Sequence, residues 1–198
     1  MSKKLIAITG GIGSGKSVVS SILRSLGYEV YDCDSRAKIN GDSDYEIKAK
    51  LVSEISPDCV DSEGNVRRDR VAEIVFANPD ALNRLNLLTH AAVRDDIRRQ
   101  AAISENNPLF VETAILYQSE LDLMVDEVWV VKAPEELRIG RVMERNGLER
   151  EQVIARIESQ DGYKPQRRHA VVRELVNDEI LPLLPQVEEL LKNLVPVE

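Results

Sequence analysis

The residues from Gly10 to Ser17 carry the pattern that phosphate chemistry requires. They match G-x-x-x-x-G-K-[ST] and stand between a short apolar run and a segment of helical period. Glycines let the backbone curl so that successive N–H groups point at phosphate oxygens, and the N-terminus of the following helix adds about half a unit of positive charge. The predicted nucleotide contacts are Gly11, Gly13, Ser14, Gly15, Lys16, Ser17 and Val18.

Two side chains of this segment have separate expected roles. The Lys16 amine is expected to reach the β- and γ-phosphates of ATP, and the Ser17 hydroxyl is expected to ligate Mg²⁺. ATPases, GTPases and kinases share such a loop, so the loop alone does not name the reaction.

A pair of carboxylates follows the second predicted strand. Asp32 and Asp34 lie just past its carboxyl end, where open parallel sheets place their ligands. A kinase that acts on a hydroxyl needs a carboxylate that accepts or orients the acceptor proton. Asp34 is the predicted catalytic carboxylate, and the alternative is that it caps the following helix.

Arginines form a second candidate group near the C-terminal third of the chain. Arg138, Arg141 and Arg145 are spaced by three and four, which places them on one face of a helix. On a lid, arginines neutralise the charge of a transferred phosphoryl group and exclude water, and Arg141 is favoured among the three. Arg156 shares a face with Gln160 on the next helix, and the alternative for this group is a solvated charged face.

Strand and helix patterns alternate in a way that predicts an α/β fold with a parallel sheet of five strands. A stretch of about 37–104 is mostly helical and reads as an insertion. The predicted strands are Leu5–Thr9, Tyr28–Tyr31, Leu109–Val111, Val128–Val131 and Glu174–Val176. The predicted helices outside and inside the insertion include Asp69–Phe76, a long helix from Pro79, Glu135–Arg145, Glu149–Gln160 and Pro185–Leu194.

Net charge and composition restrict the classes of molecule that this protein is expected to bind. The 198 residues carry a net charge of −8, which argues against nucleic acid, and no apolar run approaches the roughly 20 residues that a membrane span needs. Cys33 and Cys59 have no spaced partners that suggest a disulfide or a metal site. We expect a cytoplasmic protein, monomeric or a weak homo-oligomer, that acts on a small molecule.

The chain resembles the dephospho-CoA kinase family over nearly its whole length. The matching segments are Thr9–Ser17, Leu26-Gly27, Asp32-Cys33-Asp34, Asp61–Gly64 before Asp69-Arg70, Val75-Phe76, Leu85-Asn86, His90, Arg141, Arg145, Arg156 and Gln160. The resemblance implies a three-layer P-loop NTPase fold and transfer of the γ-phosphoryl group of ATP to the ribose 3′-hydroxyl of dephospho-CoA, the last step of coenzyme A synthesis.

The resemblance also implies roles for parts of the chain. The expected core is about 1–36, 105–134 and 170–198, the insertion of about 37–104 holds the CoA-like substrate, and about 135–169 forms the lid. Asp34 would lie nearest the acceptor hydroxyl, with His90 and Arg156 as further substrate contacts. Asn177 would lie in the loop beside the adenine of ATP.

Several positions depart from the family pattern. The family commonly has His-Pro where this chain has His90-Ala91, and it has Pro-Leu-Leu-x-Glu after the third strand where this chain reads Val111–Tyr117. Glu112 is a candidate to replace that glutamate from a shifted position. The Ala-Asp pair expected before the last strand is Val171-Val172 here.

Two other functions remain open from the sequence. A related small-molecule kinase, for a nucleoside monophosphate or a sugar acid, would share the loop and the lid. A nucleotide-binding switch would usually carry Asn-Lys-x-Asp, and the chain has no such motif.

Overall fold

Five short runs of apolar and β-branched residues form the central sheet. The computed structural model describes residues 3–161, 169 and 171–194, without the side chains of 39–43 and 161. Its strands are β1 (Leu5–Thr9), β2 (Val30–Asp32), β3 (Leu109–Glu112), β4 (Glu127–Lys132) and β5 (Val172–Val176). Every pairing is parallel, and the strand order is β2-β3-β1-β4-β5. The predicted fold class and its five parallel strands are confirmed.

The strand register fixes which residues meet at the carboxyl edge of the sheet. Ile8 of β1 lies opposite Glu112 of β3 and Trp129 of β4, and Asp32 of β2 lies opposite Glu112. The ends of β1, β2 and β3 therefore meet at one edge, from which the glycine-rich segment leaves.

One face of the sheet packs on the first and last helices, α1 (Lys16–Ser25) and α8 (Leu183–Lys192). Ile6 and Ile8 alternate along β1 and join this core because side chains two apart share a face of a strand. The core residues from the sheet and the two helices are Ile6, Ile8, Val19, Leu23, Phe110, Trp129, Val131, Leu175, Leu183 and Val187.

A pair of helices follows β4. They are α6 (Glu135–Asn146) and α7 (Arg150–Asp161), and both predicted helices are confirmed to within one residue at each end. Ile139 and Val142 of α6 pack on Val153 and Ile157 of α7. Residues 162–168 of the predicted lid lie outside the described residues.

The chain divides into two compact units. The helical stretch Cys33–Ala102 forms the smaller unit, and the segments Met1–Asp32 and Ile103–Glu198 together form the larger one. The helices that begin in the smaller unit are α2 (Cys33–Ser43), α3 (Tyr45–Lys50), α4 (Arg68–Ala77) and α5 (Pro79–Ile103). A π-helical turn, Leu51–Ile55, and a 3-10 turn, Pro57–Cys59, lie between α3 and α4.

The start of the second strand differs from its prediction. β2 begins at Val30 and not at Tyr28, since the Tyr28 N–H donates to the Leu23 carbonyl oxygen at 3.0 Å and completes the end of α1. Gly27 adopts the expected left-handed conformation there, with φ +87°. Helix α2 follows β2 without a connecting loop.

Within the described residues, no helix has both the length and the apolar character needed to cross a membrane. Cys33 and Cys59 are both buried, and neither forms a disulfide.

Candidate active site

The glycine-rich loop, residues 10–15, links the end of β1 to the start of α1. Gly13 and Gly15 have positive φ values of 78° and 95°, a region that disfavours other residues. Neighbouring groups also exclude side chains there. A Cβ at Gly13 would lie 2.5 Å from the Arg138 carbonyl oxygen, and one at Gly15 would lie 2.0 Å from Nδ2 of Asn177.

Side chains satisfy the carbonyl groups of this loop one after another. Five consecutive carbonyl oxygens accept a side-chain N–H: Gly10 and Gly11 from Lys16 Nζ at 2.9 and 3.2 Å, Ile12 from Arg138 Nε at 3.0 Å, Gly13 from Arg141 Nη1 at 3.4 Å, and Ser14 from Asn177 Nδ2 at 2.9 Å. These five hydrogen bonds come from four side chains: Lys16, the first residue of α1, and Arg138, Arg141 and Asn177, which lie outside that helix. The loop is therefore shaped by side chains distributed over the larger unit.

In contrast to the carbonyl groups, several N–H groups of this segment are not hydrogen-bonded within the described residues. The N–H groups of Gly13, Gly15 and Ser17 have no hydrogen-bond acceptor among the described residues. The Ser14 hydroxyl is buried and also has no partner within that part of the chain. Unpaired donors at the N-terminus of a helix form an anion site, so the loop fits a polyphosphate.

Two of the predicted nucleotide contacts, Ser17 and Val18, are both exposed but differ in hydrogen bonding. The Val18 N–H donates to the Gly15 carbonyl oxygen at 3.0 Å, as part of the first turn of α1. Ser17 is exposed, and its hydroxyl has no hydrogen-bond partner among the described residues, so it fits a Mg²⁺ ligand. No group of three or more His, Cys, Asp or Glu side chains in the described ranges is arranged to hold a metal ion.

Helix α6 brings arginines to the loop. Besides the Gly13 contact, Arg141 Nη2 donates to the Asn177 carbonyl oxygen at 3.3 Å and to Glu179 Oε1 at 3.0 Å. Arg141 and Asn177 therefore lie together at the loop. Arg145 bonds instead to Asn146 Oδ1 at 3.0 Å. Arg156 is exposed on α7, and its guanidinium has no partner among the described residues.

The two carboxylates after β2 occupy different elements. Asp32 is the last residue of β2 and lies opposite Glu112, the last residue of β3. Asp34 lies in the first turn of α2 and in the helical unit. Since α2 begins at Cys33, Asp34 is inside the helix and does not precede it as an N-cap residue would.

A buried carboxylate that the sequence analysis missed anchors α2. Asp96 of α5 accepts from Arg36 Nε at 2.9 Å and lies 2.8 Å from Arg36 Nη2 through the same oxygen. The Asp96 side chain is 8% exposed. Arg36 is two residues beyond Asp34, so this pair orients the turn that carries Asp34. His90 is half-buried on the same helix as Asp96.

A cavity of about 230 Å³ opens beside Gly10 and Gly11. Its walls come from the ends of β1 and β4, from residues 114–118 and from Gln160. Burial, with a smaller contribution from the Asp122 carboxylate, raises the pKa of the Tyr117 phenol in this wall, so the phenol is neutral at physiological pH.

The same wall contains the segment in which this chain departs from the Pro-Leu-Leu-x-Glu pattern of the family. When Ala114–Gln118 is read against Pro-Leu-Leu-x-Glu, Gln118 occupies the place of the glutamate, and Gln118 lines the cavity whereas Glu112 does not. Extending the sequence comparison by one residue beyond Tyr117 would have found it. The sequence pattern places Arg138 on the face of Arg141 and Gln160 on the face of Arg156, and it gives neither residue a contact with the loop.

Comparison with known proteins then decides the family. The family model described as dephospho-CoA kinase matches residues 4–181. The chain belongs to the dephospho-CoA kinase family. It is therefore a kinase, and it acts on a small molecule.

Relatives and solved structures agree with this assignment. The chain is 37% identical over 187 residues to a dephospho-CoA kinase of Porphyromonas gingivalis, covering 94% of this chain and 92% of the relative. It is similar to the crystal structure of TT1252 from Thermus thermophilus, with a TM-score of 0.79, 32% identity and coverage of 99% and 100%. It is also similar to a dephospho-CoA kinase from Campylobacter jejuni, with a TM-score of 0.66, 28% identity and 96% coverage of both chains.

Proposed function

We propose that this protein transfers the γ-phosphoryl group of ATP to the ribose 3′-hydroxyl of dephospho-CoA, which gives CoA and ADP and completes coenzyme A synthesis. Membership of the dephospho-CoA kinase family supports the acceptor. The observation that carries the donor half is the loop at residues 10–15. Its carbonyl groups accept hydrogen bonds from side chains, whereas the N–H groups of Gly13, Gly15 and, in the first turn of α1, Ser17 have no acceptor among the described residues.

The donor site uses the loop and the start of α1. The amides and side chains of Gly11, Gly13, Ser14, Gly15, Lys16, Ser17 and Val18 surround the phosphates of ATP. The Lys16 amine donates to the Gly10 and Gly11 carbonyl oxygens. When ATP binds, it exchanges these acceptors for oxygens of the β- and γ-phosphates. Asn177 lies beside the adenine.

The Ser17 hydroxyl would hold Mg²⁺ together with phosphate oxygens. Bound there, the ion would neutralise charge on the β- and γ-phosphates. The exposed, unpaired hydroxyl of Ser17 at the N-terminus of α1 supports this assignment.

The acceptor is oriented by carboxylates. Asp34 holds the 3′-hydroxyl, and Glu112, His90 and Arg156 contribute further contacts to the acceptor. As the hydroxyl oxygen bonds to the γ-phosphorus, the bond to the β–γ bridging oxygen breaks, and the hydroxyl proton leaves on the Asp34 side. Arg141 stabilises the charge on the transferred group, which is electrostatic catalysis by a positioned cation.

The helical unit holds the rest of the acceptor. An apolar cavity of about 350 Å³ lies within this unit and supports the proposal. Its walls include Ile47, Leu51, Val71, Val75, Phe76 and Leu85.

The decisive experiment is ADP release from ATP and Mg²⁺ with dephospho-CoA, with a nucleoside monophosphate and with a sugar acid. Dephospho-CoA alone is expected to stimulate release. Lys16→Ala and Asp34→Ala are expected to lose at least about 10²-fold in kcat, as when one transition-state contact is removed, and Asp32→Ala to lose less.

The outcomes separate the alternatives. Stimulation by another acceptor would retain the kinase but replace its substrate. Release that no acceptor stimulates, with GTP preferred to ATP, would refute the proposal in favour of a nucleotide switch.

A further inference from the structure

The phosphate-binding loop is held at its tip through three parts of one residue, Ile12. Its N–H donates to Oε1 of Gln160 on α7 at 2.8 Å, and its carbonyl oxygen accepts from Nε of Arg138 on α6 at 3.0 Å. Its side chain packs against the apolar cluster between the two helices. Ile12 is thus fixed to both helices at once, in a loop that is otherwise rich in glycine.

The Arg138 guanidinium also covers the neighbouring glycine. A Cβ on Gly11 would lie 2.2 Å from Nη2 and 2.6 Å from Cζ of Arg138. Nη2 is buried and has no hydrogen-bond partner among the described residues. A buried, unpaired N–H is unfavourable, so other contacts must hold the guanidinium there, and they place its charge directly on the anion-binding loop.

The same helix carries Arg141 one turn further on, and its Nη1 contacts Gly13 O. A change in the position of α6 would therefore move the loop tip and Arg141 together. Helix packing and loop shape are coupled through Ile12, because both of its backbone hydrogen bonds end on the helix pair.

We infer that Arg138 and Gln160 are positioning residues for nucleotide binding, which hold the phosphate-binding loop in its anion-accepting shape through Ile12. The inference rests on the proposed function only in taking ATP and ADP as ligands of the loop. Without these two side chains, Ile12 would keep only its side-chain packing, and the Gly13 amide beside it would lose its alignment with the phosphates.

The first test is a double-mutant cycle on Gly11 and Arg138, read by calorimetric titration with Mg²⁺ and ADP. Gly11 has an ordinary φ, so alanine there strains no backbone and acts by displacing the guanidinium. Arg138→Ala and Gly11→Ala are each expected to weaken ADP binding about tenfold, and the double variant also about tenfold, because both remove one interaction. Full additivity, or ADP binding unchanged in Arg138→Ala, would overturn the inference.

The second test reads the Ile12 amide itself. In Gln160→Ala, NMR hydrogen exchange of the Ile12 N–H is expected to be at least about tenfold faster than in the parent, because its acceptor is lost. ADP affinity should fall in the same variant. An unchanged exchange rate would show that Gln160 does not hold the loop.

Arg150→Gln is the matched control, because it breaks an exposed ion pair between α7 and Glu136 of α6, and neither partner hydrogen-bonds to the loop in the described part of the chain. It should bind ADP like the parent. If Arg138→Ala does not fold, Gly11→Ala tests the same contact without a change in α6.

Neither the ADP titration nor the hydrogen-exchange measurement includes the acceptor dephospho-CoA. Absence of dephospho-CoA phosphorylation would therefore refute the proposed function and leave this inference standing, whereas wild-type ADP binding in the variants would do the reverse.

Discussion

Arg141 and Asn177 meet over the phosphate-binding loop, where Nη2 of the arginine donates to the asparagine carbonyl oxygen at 3.3 Å. Asn177 in turn donates from its side chain to the Ser14 carbonyl oxygen at 2.9 Å. A residue of α6 and the residue after β5 are joined in this way, and each also contacts the loop. The relationship explains how a cation on a helix can be aimed at a phosphate.

Arg141→Lys is expected to lower kcat about 10²-fold, because a lysine amine cannot reach Gly13, Asn177 and Glu179 together as the planar guanidinium does. Steady-state kinetics with saturating acceptor measures it. Arg150→Lys, an equivalent change at an exposed arginine, should leave kcat unchanged. Equal activity of both variants would exclude a catalytic role for Arg141.

Gly15→Ala and Gly27→Ala form a matched pair, since φ is +95° at Gly15 and +87° at Gly27. Both should lower the free energy of unfolding by about 1 kcal/mol from left-handed strain. Only the Gly15 Cβ meets Asn177, since nothing lies within 4 Å of the Gly27 Cβ. Gly15→Ala should therefore also weaken ADP binding at least about tenfold. Urea unfolding and ADP titration separate the two effects, and equal loss of ADP binding in both would contradict the clash.

Asp96→Ala is expected to lower the free energy of unfolding by about 2 kcal/mol, less than a fully buried pair because Arg36 is 38% exposed. The first turn of α2 would lose its anchor, so kcat should fall about tenfold through Asp34. Circular dichroism during urea unfolding and steady-state kinetics measure the two effects. The control is Asp95→Ala, which breaks an exposed pair with Arg98 and should change stability by less than about 0.5 kcal/mol. If the control loses as much activity, the Arg36 contact is not what positions α2.

The ionisation of the Tyr117 phenol makes the free energy of unfolding depend on pH in the alkaline range. Burial raises its pKa above the ordinary value of 10.0, so the unfolded phenol ionises first as the pH rises. The stability that its neutral form contributes is complete below the unfolded pKa of about 10 and is lost as the pH rises through the folded pKa. Both the parent and Tyr117→Phe are titrated spectrophotometrically, and the difference between the two curves isolates this phenol. A difference curve centred at or below pH 10 would contradict its burial in the cavity wall.

Local sequence was enough to predict the elements of the site. The glycine pattern from Gly10 to Ser17 predicted the loop and α1, and the spacing of Arg138 and Arg141 predicted that they share a helix face. Such features depend on residues a few positions apart, whose periodicity a sequence displays directly. The start of β2 was predicted two residues early, because a hydrogen bond from Tyr28 back to α1 leaves no signal in hydrophobicity.

The fold class and the phosphate-binding loop follow from the sequence alone, because hydrophobic periodicity and glycine spacing are local properties. The side chains that hold the loop are brought to it only by tertiary packing. Ile12 lies 126 positions from Arg138 and 148 from Gln160, and Asp96 lies 60 from Arg36. No local pattern encodes such pairs, since they depend on how packed helices and strands bring distant backbone and side-chain groups within hydrogen-bond distance.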